Sequence, residues 1–425
     1  MSLKFVHFIG CGGAGTQPLA LIFQELGYTC SGSDLIRNGR TDALQAAGIT
    51  VCAPGHREEN LPAGATGENA LVVYSSAAVM ENPELQEARR RGIRTVRRGE
   101  ALAMIAQKFP LTIAVAGSHG KTSVTSSIVH ILKELGLEPG YLIGGNLRGD
   151  PVSGTAGAGK IFVSEVDESD STNALFYASL AVVTNVEDDH SWSVGGVENL
   201  FESFRLFAEH SKKLLYVPGE NPDRIFAEFP EKSQHPGAIP EPVKNCPHWG
   251  GFQKENAATA IKAVSILYPE IPEEKICRAM LTFQGVERRM TLRKDTGSYL
   301  VMEDYAHHPT ELAASLATFR EIFPGKRLVV IFQPHRYARL QRYFQEFAEV
   351  LNRADRIFIT PVFAAWTAES QVNSKTLADA IGGKASALEG DWKAMGETVR
   401  KELKKGDIAA VIGAGDLPEI FPYLS

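Results

Sequence analysis

One stretch of the sequence constrains the fold more than any other, because an apolar run passes directly into a glycine loop and then into a helical pattern. The run "LTIAVA" ends at Ala116, and "GSHGKTS" (117–123) separates it from the helical stretch "VTSSIVHILKELG". A strand, a glycine loop and a helix in this order form a phosphate-binding loop, in which backbone N–H groups and the helix N-terminus hold phosphate oxygens. The stretch therefore predicts an α/β domain with a largely parallel sheet.

The residues of this loop have predictable tasks. Lys121 would direct its charge toward the β- and γ-phosphates of ATP, and the Thr122 hydroxyl would ligate Mg²⁺. The full motif has glycine at the position of Val115, so this loop is a shortened form. We predict ATP and Mg²⁺ as the cofactors. The candidate ATP-binding residues of the loop are Gly117, Ser118, His119, Gly120, Lys121, Thr122 and Ser123.

A second glycine loop, "GCGGAG", follows the first apolar run, "KFVHFI". Asp34 comes after it at about the 20-residue spacing at which an acid holds a ribose. Alone, this pattern favours NAD and an oxidoreductase. Beside an ATP loop, the diphosphate of a UDP-carrying substrate would use the same helix N-terminus, so both interpretations stay open at this point. The loop residues predicted to bind are Gly10, Gly12, Gly13, Ala14 and Gly15.

Two further apolar runs end in acidic residues. "IFVSEVDESD" carries Glu165, Asp167, Glu168 and Asp170, and "LAVVTNVEDDH" ends with three acids and His190. Ligands of open α/β sheets bind at the carboxyl ends of strands. Carboxylates beside a phosphate loop therefore predict Mg²⁺ ligation, with a solvated acidic turn as the alternative.

The last third of the chain repeats the alternation of strands and helices, with polar residues at the strand ends. Arg336 and Arg339 are three residues apart, so on an opening helix they would share a face and clamp a carboxylate. Ordinary surface polarity is the alternative for each cluster. The candidates are Arg288 and Arg289 at a domain junction, and Asp304, Tyr305, His307, Arg336 and Arg339 at strand ends.

Length and composition limit the organisation and the partners. The 425 residues predict two or three domains at about 150 residues each. We expect domains at 1–107, 108–285 and 286–425. A net charge of −6 gives no support for nucleic-acid or membrane binding, and five scattered cysteines without a C-x-x-C motif favour a reducing cytoplasm. The proline-rich residues 218–247 are expected to be an irregular surface excursion. A monomer or weak homodimer is expected.

These motifs occur in an order that resembles the Mur ligase family of peptidoglycan synthesis, over nearly the whole chain. The carrying segments include "GCGGAG", "YSSAAVMENPE", "VAGSHGKTS", "EVDESD", "TNVEDDH", "GVERRM", "DYAHHPTE", "FQPHRYAR" and "IGAGD". The resemblance is greatest to the members that join L-alanine to UDP-N-acetylmuramate through an acyl phosphate. It implies three domains: a Rossmann-like UDP-sugar domain, a P-loop ATPase domain and a Rossmann-like C-terminal domain for the amino acid.

The resemblance also implies roles for single residues. Glu165 and His190 match the metal ligands of the family and would act with Thr122. Lys121 and Arg288 complete the catalytic set. The remaining matches are Asn256 for adenine, Arg288 or Arg289 for the γ-phosphate, Asp304 for the ATP ribose, the segment with Ser75 and Ser76, together with Asp34, for the sugar nucleotide, and Tyr305, His307, Arg336 and Arg339 for the amino acid.

One departure keeps alternatives open. The stretch between His190 and Asn256 is shorter than the resemblance leads us to expect, so the central domain looks reduced. A ligase that attaches a whole tripeptide to the same sugar nucleotide is one alternative, although "FQPHRYAR" and "IGAGD" favour a single amino acid. A catalytically degraded UDP-sugar binder is another alternative, and an NAD-dependent oxidoreductase is the third.

Overall fold

Three sheets with parallel cores organise the chain in a computed structural model that describes residues 3–75, 78, 81–189, 191–365 and 369–424. The chain divides into two compact units. The first comprises Met1–Lys244 and Asn256–Gln284, and the second comprises Asn245–Glu255 and Gly285–Ser425. Each unit is described by itself. None of the helices in the described part is both long and apolar enough to cross a lipid bilayer.

The first sheet has the strand order β3-β2-β1-β4-β5, and all of its neighbours are parallel. This order confirms the Rossmann-like N-terminal domain that the family resemblance implies. A short 3₁₀ helix, Glu58–Asn60, follows β3. The elements are β1 (Phe5–Ile9), α1 (Thr16–Glu25), β2 (Thr29–Ser33), α2 (Gly39–Ala46), β3 (Thr50–Val51), β4 (Ala70–Tyr74), α3 (Pro83–Arg90), β5 (Arg94–Arg97) and α4 (Arg98–Ala106).

The second sheet has the order β12-β11-β10-β6-β9-β7-β8, and only β8 runs antiparallel to its neighbour. Two 3₁₀ helices occur in this part of the chain, Thr172–Leu175 before β10 and Ser191–Ser193 after it. Its strands and helices are β6 (Leu111–Ala116), α5 (Lys121–Glu134), β7 (Gly140–Leu142), β8 (Gly154–Thr155), β9 (Ile161–Glu165), β10 (Leu180–Val183), α6 (Val197–His210), β11 (Leu214–Tyr216), α7 (Glu220–Phe226), β12 (Ser233–Gln234), α8 (Glu241–Lys244), α9 (Gly251–Leu267) and α10 (Glu273–Leu281).

The proline-rich stretch is more regular than expected. It contains α7, the edge strand β12 and α8, where an irregular excursion was predicted. The physical reason is pairing at the sheet edge, since Leu214 and Leu215 of β11 are in parallel register with Ser233 and Gln234 of β12. Backbone groups that pair with an existing strand no longer need water, and this favours an ordered segment.

One continuous apolar core serves both sheets of the first unit. Phe8 and Phe23 from the first sheet belong to the same buried cluster as Phe162, Phe204 and Phe207 from the second. Each of these side chains is at most 1% exposed. Burying rings of this size gives a large share of the stabilisation of such a unit. The two nucleotide loops are therefore held on one packed body.

The third sheet forms the second unit, with the order β13-β14-β18-β15-β16-β17 and only β13 antiparallel. Apolar clusters cover both of its faces. A 3₁₀ helix, Leu417–Tyr423, follows the last strand. The elements are β13 (Thr291–Asp295), β14 (Leu300–Asp304), α11 (Pro309–Ile322), β15 (Leu328–Phe332), α12 (Tyr337–Arg342), α13 (Phe344–Leu351), β16 (Arg356–Ile359), α14 (Ser374–Ile381), β17 (Ala385–Ala387), α15 (Trp392–Glu402) and β18 (Ile408–Ile412).

Candidate functional site

The N-terminal glycine loop lies at the carboxyl end of β1, and its neighbours explain the glycines. A methyl group at Gly10 would come within 2.8 Å of Ser75 Oγ, and one at Gly12 within 3.0 Å of Asp34 Oδ2. The Gly12 N–H donates to the same Asp34 oxygen over 2.8 Å. The structure thus brings Ser75 and Asp34 to the loop, as the sequence predicts. Ser76 lies outside the described residues.

A cavity of about 300 Å³ opens beside this loop, lined by Asp34, Arg37, Thr41 and the segment Val51–Pro54. A ligand that enters it would meet Asp34, the residue that also binds the loop backbone. The size suits a small polar group such as a base or a ribose.

A buried carboxylate that the sequence analysis missed fixes the chain next to this cavity. Glu84 in α3 is fully buried. Its Oε2 lies 2.8 Å from His7 Nε2 and accepts from Ser33 Oγ over 2.7 Å, and its Oε1 lies 3.0 Å from His56 Nδ1 and accepts from Asn60 Nδ2 over 2.7 Å. Burial acts to raise the pKa of Glu84, but the hydrogen bonds and the charge of His7 outweigh burial and lower the pKa to about 2.

The phosphate loop joins β6 to α5 and is fixed by the chain that follows β10. His119 donates its N–H to Asn185 Oδ1 over 2.9 Å, and Asn185 Nδ2 donates back to the His119 carbonyl over 3.0 Å. Gly117 has φ +137°, and a methyl group there would lie 2.1 Å from Thr184 Oγ1. Gly120 precedes α5 with φ +82°. Only glycine adopts such angles without strain, so both positions need it.

Val115 explains why the loop departs from the longer motif. It lies inside β6, fully buried and in register with Glu165 of β9 and Val182 of β10. The strand therefore continues past the position at which a longer loop would begin. This register also brings the carboxyl ends of β6, β9 and β10 together, as the acid-tipped apolar runs predicted.

Lys121 lies at the start of α5 and is tied down by oxygen acceptors. Its Nζ donates to the Gly117 carbonyl and lies 3.0 Å from Glu168 Oε1. Burial alone would lower the pKa of Lys121, but the carboxylates of Glu168, Glu165 and Asp167 outweigh it and raise the pKa. Burial also raises the pKa of Glu168 to about 7, against the field of Lys121. In the sequence Glu168 is one acid of the cluster "EVDESD", and no local pattern pairs it with Lys121.

Two side chains whose oxygens can ligate a metal ion lie side by side next to Lys121. The Thr122 hydroxyl donates to Glu165 Oε2 over 2.8 Å, and the Gly144 N–H donates to the same oxygen over 3.0 Å. A hydroxyl and a carboxylate are the hard ligands that Mg²⁺ prefers, so this pair fits the ion. His190, the third metal ligand of the prediction, lies outside the described residues.

In the second unit, Arg288 and Arg289 meet at the ring of Tyr305. Their guanidinium carbons lie 4.8 and 5.2 Å from the ring centroid. Arg288 has φ +61° and donates to Glu303 Oε1 over 2.7 Å and to the Gly413 carbonyl over 3.0 Å. The backbone of Arg288 is thus held in a strained region by side-chain bonds, which is a frequent property of functional positions.

Asp304 ends β14 and is buried, and its carboxylate already accepts three hydrogen bonds. The donors are Met290 N, Ala306 N and Ser315 Oγ, at 2.9, 3.0 and 2.8 Å. Burial raises the pKa of Asp304, opposed by the charge of Arg289. These three hydrogen-bond donors to Asp304 all belong to the second unit. Binding of the ATP ribose by Asp304 stays a prediction.

Two histidines of the second unit, His307 and His335, form an aromatic row with Tyr305. His307 lies 5.4 Å from Tyr305 and 5.6 Å from His335 between ring centroids, and His335 stacks on Phe363 at 5.4 Å. Burial, helped by the charges of Arg339 and Arg336, lowers the pKa of His335 to about 3, so the ring is neutral at physiological pH. In the sequence His335 stands in the same strand-end cluster as Arg336 and Arg339.

The two pocket arginines do not share a helix in the way predicted. Arg336 precedes α12, which begins at Tyr337, and has φ +68°. The reason is pairing with another segment of the same chain. The Arg336 N–H donates to the Phe363 carbonyl over 2.8 Å, and His335 forms an isolated β-bridge with Phe363. Only Arg339 lies within α12. Asn256, the adenine candidate, lies in α9 of the first unit.

The fold and these loops define an ATP-type nucleotide-binding protein of several α/β domains, in which a phosphate loop faces acidic strand ends. Three family models match successive parts of the chain. The model of the "Mur ligase family, catalytic domain" matches residues 5–110, the "Mur ligase middle domain" matches 115–238, and the "Mur ligase, glutamate ligase domain" matches 288–415.

Relatives with the same printed name cover nearly the whole chain. The UDP-N-acetylmuramate–L-alanine ligase of Aquifex aeolicus is 34% identical over 98% of this chain and 96% of its own length. That of Desulforamulus reducens is 35% identical over 97% and 96%. This chain therefore belongs to the Mur ligase family, as its motifs indicated.

Solved structures agree on the fold. The UDP-N-acetylmuramate–alanine ligase MurC of Thermotoga maritima has a TM-score of 0.78 at 23% identity and covers 99% of this chain and 98% of its own. A murein peptide ligase from Psychrobacter arcticus has a TM-score of 0.67 at 21% identity, over 99% and 98%. The predicted three-domain Mur ligase fold is thereby confirmed.

Proposed function

We propose that this chain joins L-alanine to UDP-N-acetylmuramate at the expense of ATP. The activity printed in the names of its relatives supports the proposal, since they are 34–35% identical over nearly the whole chain. The observation that carries it in the structure is the phosphate loop, where Lys121 and Thr122 lie beside Glu165 and Glu168. A second glycine loop on the same packed unit accounts for a substrate that carries its own nucleotide.

In the first step the lactyl carboxylate oxygen of the sugar nucleotide attacks the γ-phosphorus of ATP, and the bond to the β-phosphate oxygen breaks. The products are an acyl phosphate and ADP. Lys121 binds the β- and γ-phosphates and neutralises the charge that moves onto ADP. The backbone N–H groups between Gly117 and Lys121 hold the same phosphates at the N-terminus of α5.

The Thr122 hydroxyl and the Glu165 carboxylate would hold Mg²⁺. When bound, the ion supplies positive charge next to the phosphate oxygens. Glu165 is kept in place by the Gly144 N–H, so the carboxylate is oriented before any ion arrives. Arg288 or Arg289 would bind the γ-phosphate.

In the second step the amine of alanine attacks the acyl carbon, the bond to the phosphate oxygen breaks, and the ammonium protons are lost to solvent. Arg336 and Arg339 would bind the alanine carboxylate. Tyr305 and His307 would form one wall of the amino-acid pocket, and their rings continue through His335 to Phe363.

Phosphate release from Mg-ATP tests the proposal. We expect release only with UDP-N-acetylmuramate plus one amino acid, L-alanine rather than glycine, serine or the tripeptide. Release with the tripeptide alone would favour the recycling ligase. No release with any pairing, while UDP-N-acetylmuramate still binds, would identify a degraded binder and contradict the proposal.

Lys121→Ala tests the phosphate loop directly. We expect kcat for ADP formation to fall by about 100-fold or more, because charge stabilisation at the transferred phosphate is lost. Binding of UDP-N-acetylmuramate should be unchanged. Lys133→Ala is the matched control, since Lys133 lies on the same helix and pairs with Asp150 on the surface. Equal turnover in both variants would remove Lys121 from the mechanism.

A further inference from the structure

Arg98 lies against the N-terminal glycine loop and has no role in the reaction proposed above. It is the first residue of α4, and its side chain is 25% exposed. A methyl group at Gly15 would lie 2.7 Å from Arg98 Nη1 and 3.2 Å from Cζ. The guanidinium therefore lies directly against Gly15, the last glycine of the N-terminal loop. Gly15 is the residue that precedes α1, and the first turn of α1 carries no acid.

The opposite side of the same guanidinium faces the acidic turn after β9. Arg98 Nη2 lies 3.6 Å from Asp167 Oδ2 and 4.0 Å from Asp170 Oδ2. Both separations exceed a hydrogen bond. Within the residues that the structure describes, the Arg98 side chain makes these two ion pairs and no hydrogen bond. Its Nη2 thus lies near two carboxylates without being hydrogen-bonded to either.

We propose that Arg98 binds the diphosphate of the sugar nucleotide, and that Asp167 and Asp170 hold the same guanidinium when the nucleotide is absent. The proposal rests on the proposed function, because it assumes that the glycine loop takes a nucleoside diphosphate. Arg suits the task, since its planar fork donates two parallel hydrogen bonds to phosphate oxygens. The backbone N–H groups of the loop and the N-terminus of α1 supply the remaining donors.

A competition follows from this geometry. The two carboxylates and the diphosphate would compete for the Arg98 guanidinium, so each would weaken the binding of the other to it. The acids belong to the turn that also carries Glu168, the partner of Lys121. The Arg98 side chain therefore links the N-terminal glycine loop to the acidic turn after β9. Removing an acid should strengthen diphosphate binding, which is the opposite of what damage to the fold would do.

Calorimetric titration of UDP into the full chain, without ATP or divalent cations, tests this directly. Arg98→Met should weaken UDP binding by about tenfold or more, as expected when charged hydrogen bonds are lost. Arg98→Lys, which keeps the charge but not the fork, should fall between it and the wild type. Arg97→Met is the matched control, since Arg97 is the exposed neighbour in sequence, and it should leave the affinity within about twofold.

Asp170→Asn gives the reading that a merely structural role would not. It keeps the Oδ1 acceptor for the Thr172 N–H and hydroxyl, so the turn retains its bonds. UDP affinity should rise about two- to fivefold, the size expected for a partly exposed ion pair. In the Arg98→Met background the same change should have no effect on UDP affinity, which closes a double-mutant cycle.

The outcomes separate the two proposals. If the wild type does not bind UDP, the nucleotide assignment of the glycine loop is wrong and the role of Arg98 falls with it. If the wild type binds UDP and Arg98→Met binds it equally well, only the role of Arg98 is wrong. If Asp170→Asn does not strengthen binding, or strengthens it without Arg98, the competition is refuted.

Discussion

Replacing Glu84 by glutamine should destabilise the first unit strongly, although the change is nearly isosteric. Each carboxylate oxygen of Glu84 has two hydrogen-bonding partners. The amide keeps one accepting oxygen, while its NH₂ group replaces the oxygen that accepts from either Ser33 Oγ or Asn60 Nδ2. The side chain is fully buried, so water cannot compensate.

The magnitude follows from the pKa of this carboxyl. It lies at about 2, against an ordinary value of 4.5. By proton linkage this difference contributes about 3 kcal/mol to the free energy of unfolding at neutral pH. Because the folded-state pKa is the lower one, the contribution is complete above pH 4.5 and is lost as the pH falls toward 2. For a unit of this size, 3 kcal/mol corresponds to about 6 °C in Tm.

Scanning calorimetry of the full chain measures this, and the transition that shifts upward with added UDP identifies the first unit. We expect Glu84→Gln to lower that Tm by about 6 °C at pH 7, and the difference from the wild type to narrow in acid. Glu59→Gln, an exposed change in the nearby 3₁₀ helix, should alter the free energy of unfolding by less than about 0.5 kcal/mol. A loss below about 1 °C, or one that does not depend on pH, would refute the reasoning.

Two further predictions concern the two ends of the reaction. Arg336→Ala should raise the KM for the amino acid by about tenfold or more and leave the KM for ATP nearly unchanged in steady-state assays, and a change confined to ATP would contradict the pocket assignment. Gly117→Ala should weaken ADP binding in calorimetric titrations, because its methyl group would meet Thr184 Oγ1 at 2.1 Å, with backbone strain of about 1–3 kcal/mol added. Gly39→Ala, which has open space around it, is the control, and equal ADP affinity in both variants would refute the packing account.

Local order was predictable from the sequence, and long-range pairing was not. The strand, glycine loop and helix at 111–134 are contiguous, so their pattern alone indicated β6, the loop and α5. The partner of Lys121 is Glu168, and four acids in that turn had equal claims by sequence. The path of the chain after β9, which no local pattern gives, brings Glu168 Oε1 to within 3.0 Å of Lys121 Nζ.

Glu84 illustrates the same limit more sharply. In the sequence it is one acid in "ENPELQEA", a typical helix start after the capping Asn82. Its partners come from β1, β2 and the segment before β4, so no local pattern indicates them. Arg336 was misplaced for a related reason, since a backbone bond to Phe363 overrides the helical spacing of its motif.

The order in which the first unit is completed has a consequence for synthesis on the ribosome. Helix α10 packs on α5, where His130 Nε2 lies 3.1 Å from the Ala279 carbonyl and 2.8 Å from Thr282 Oγ1. Residues 245–255, which belong to the second unit, emerge before this cover does. Helix α5, which follows the phosphate loop, therefore lacks these contacts until Thr282 has left the exit tunnel. A nascent chain halted at Lys244 would leave this side of α5 without its partner helix and accessible to chaperones.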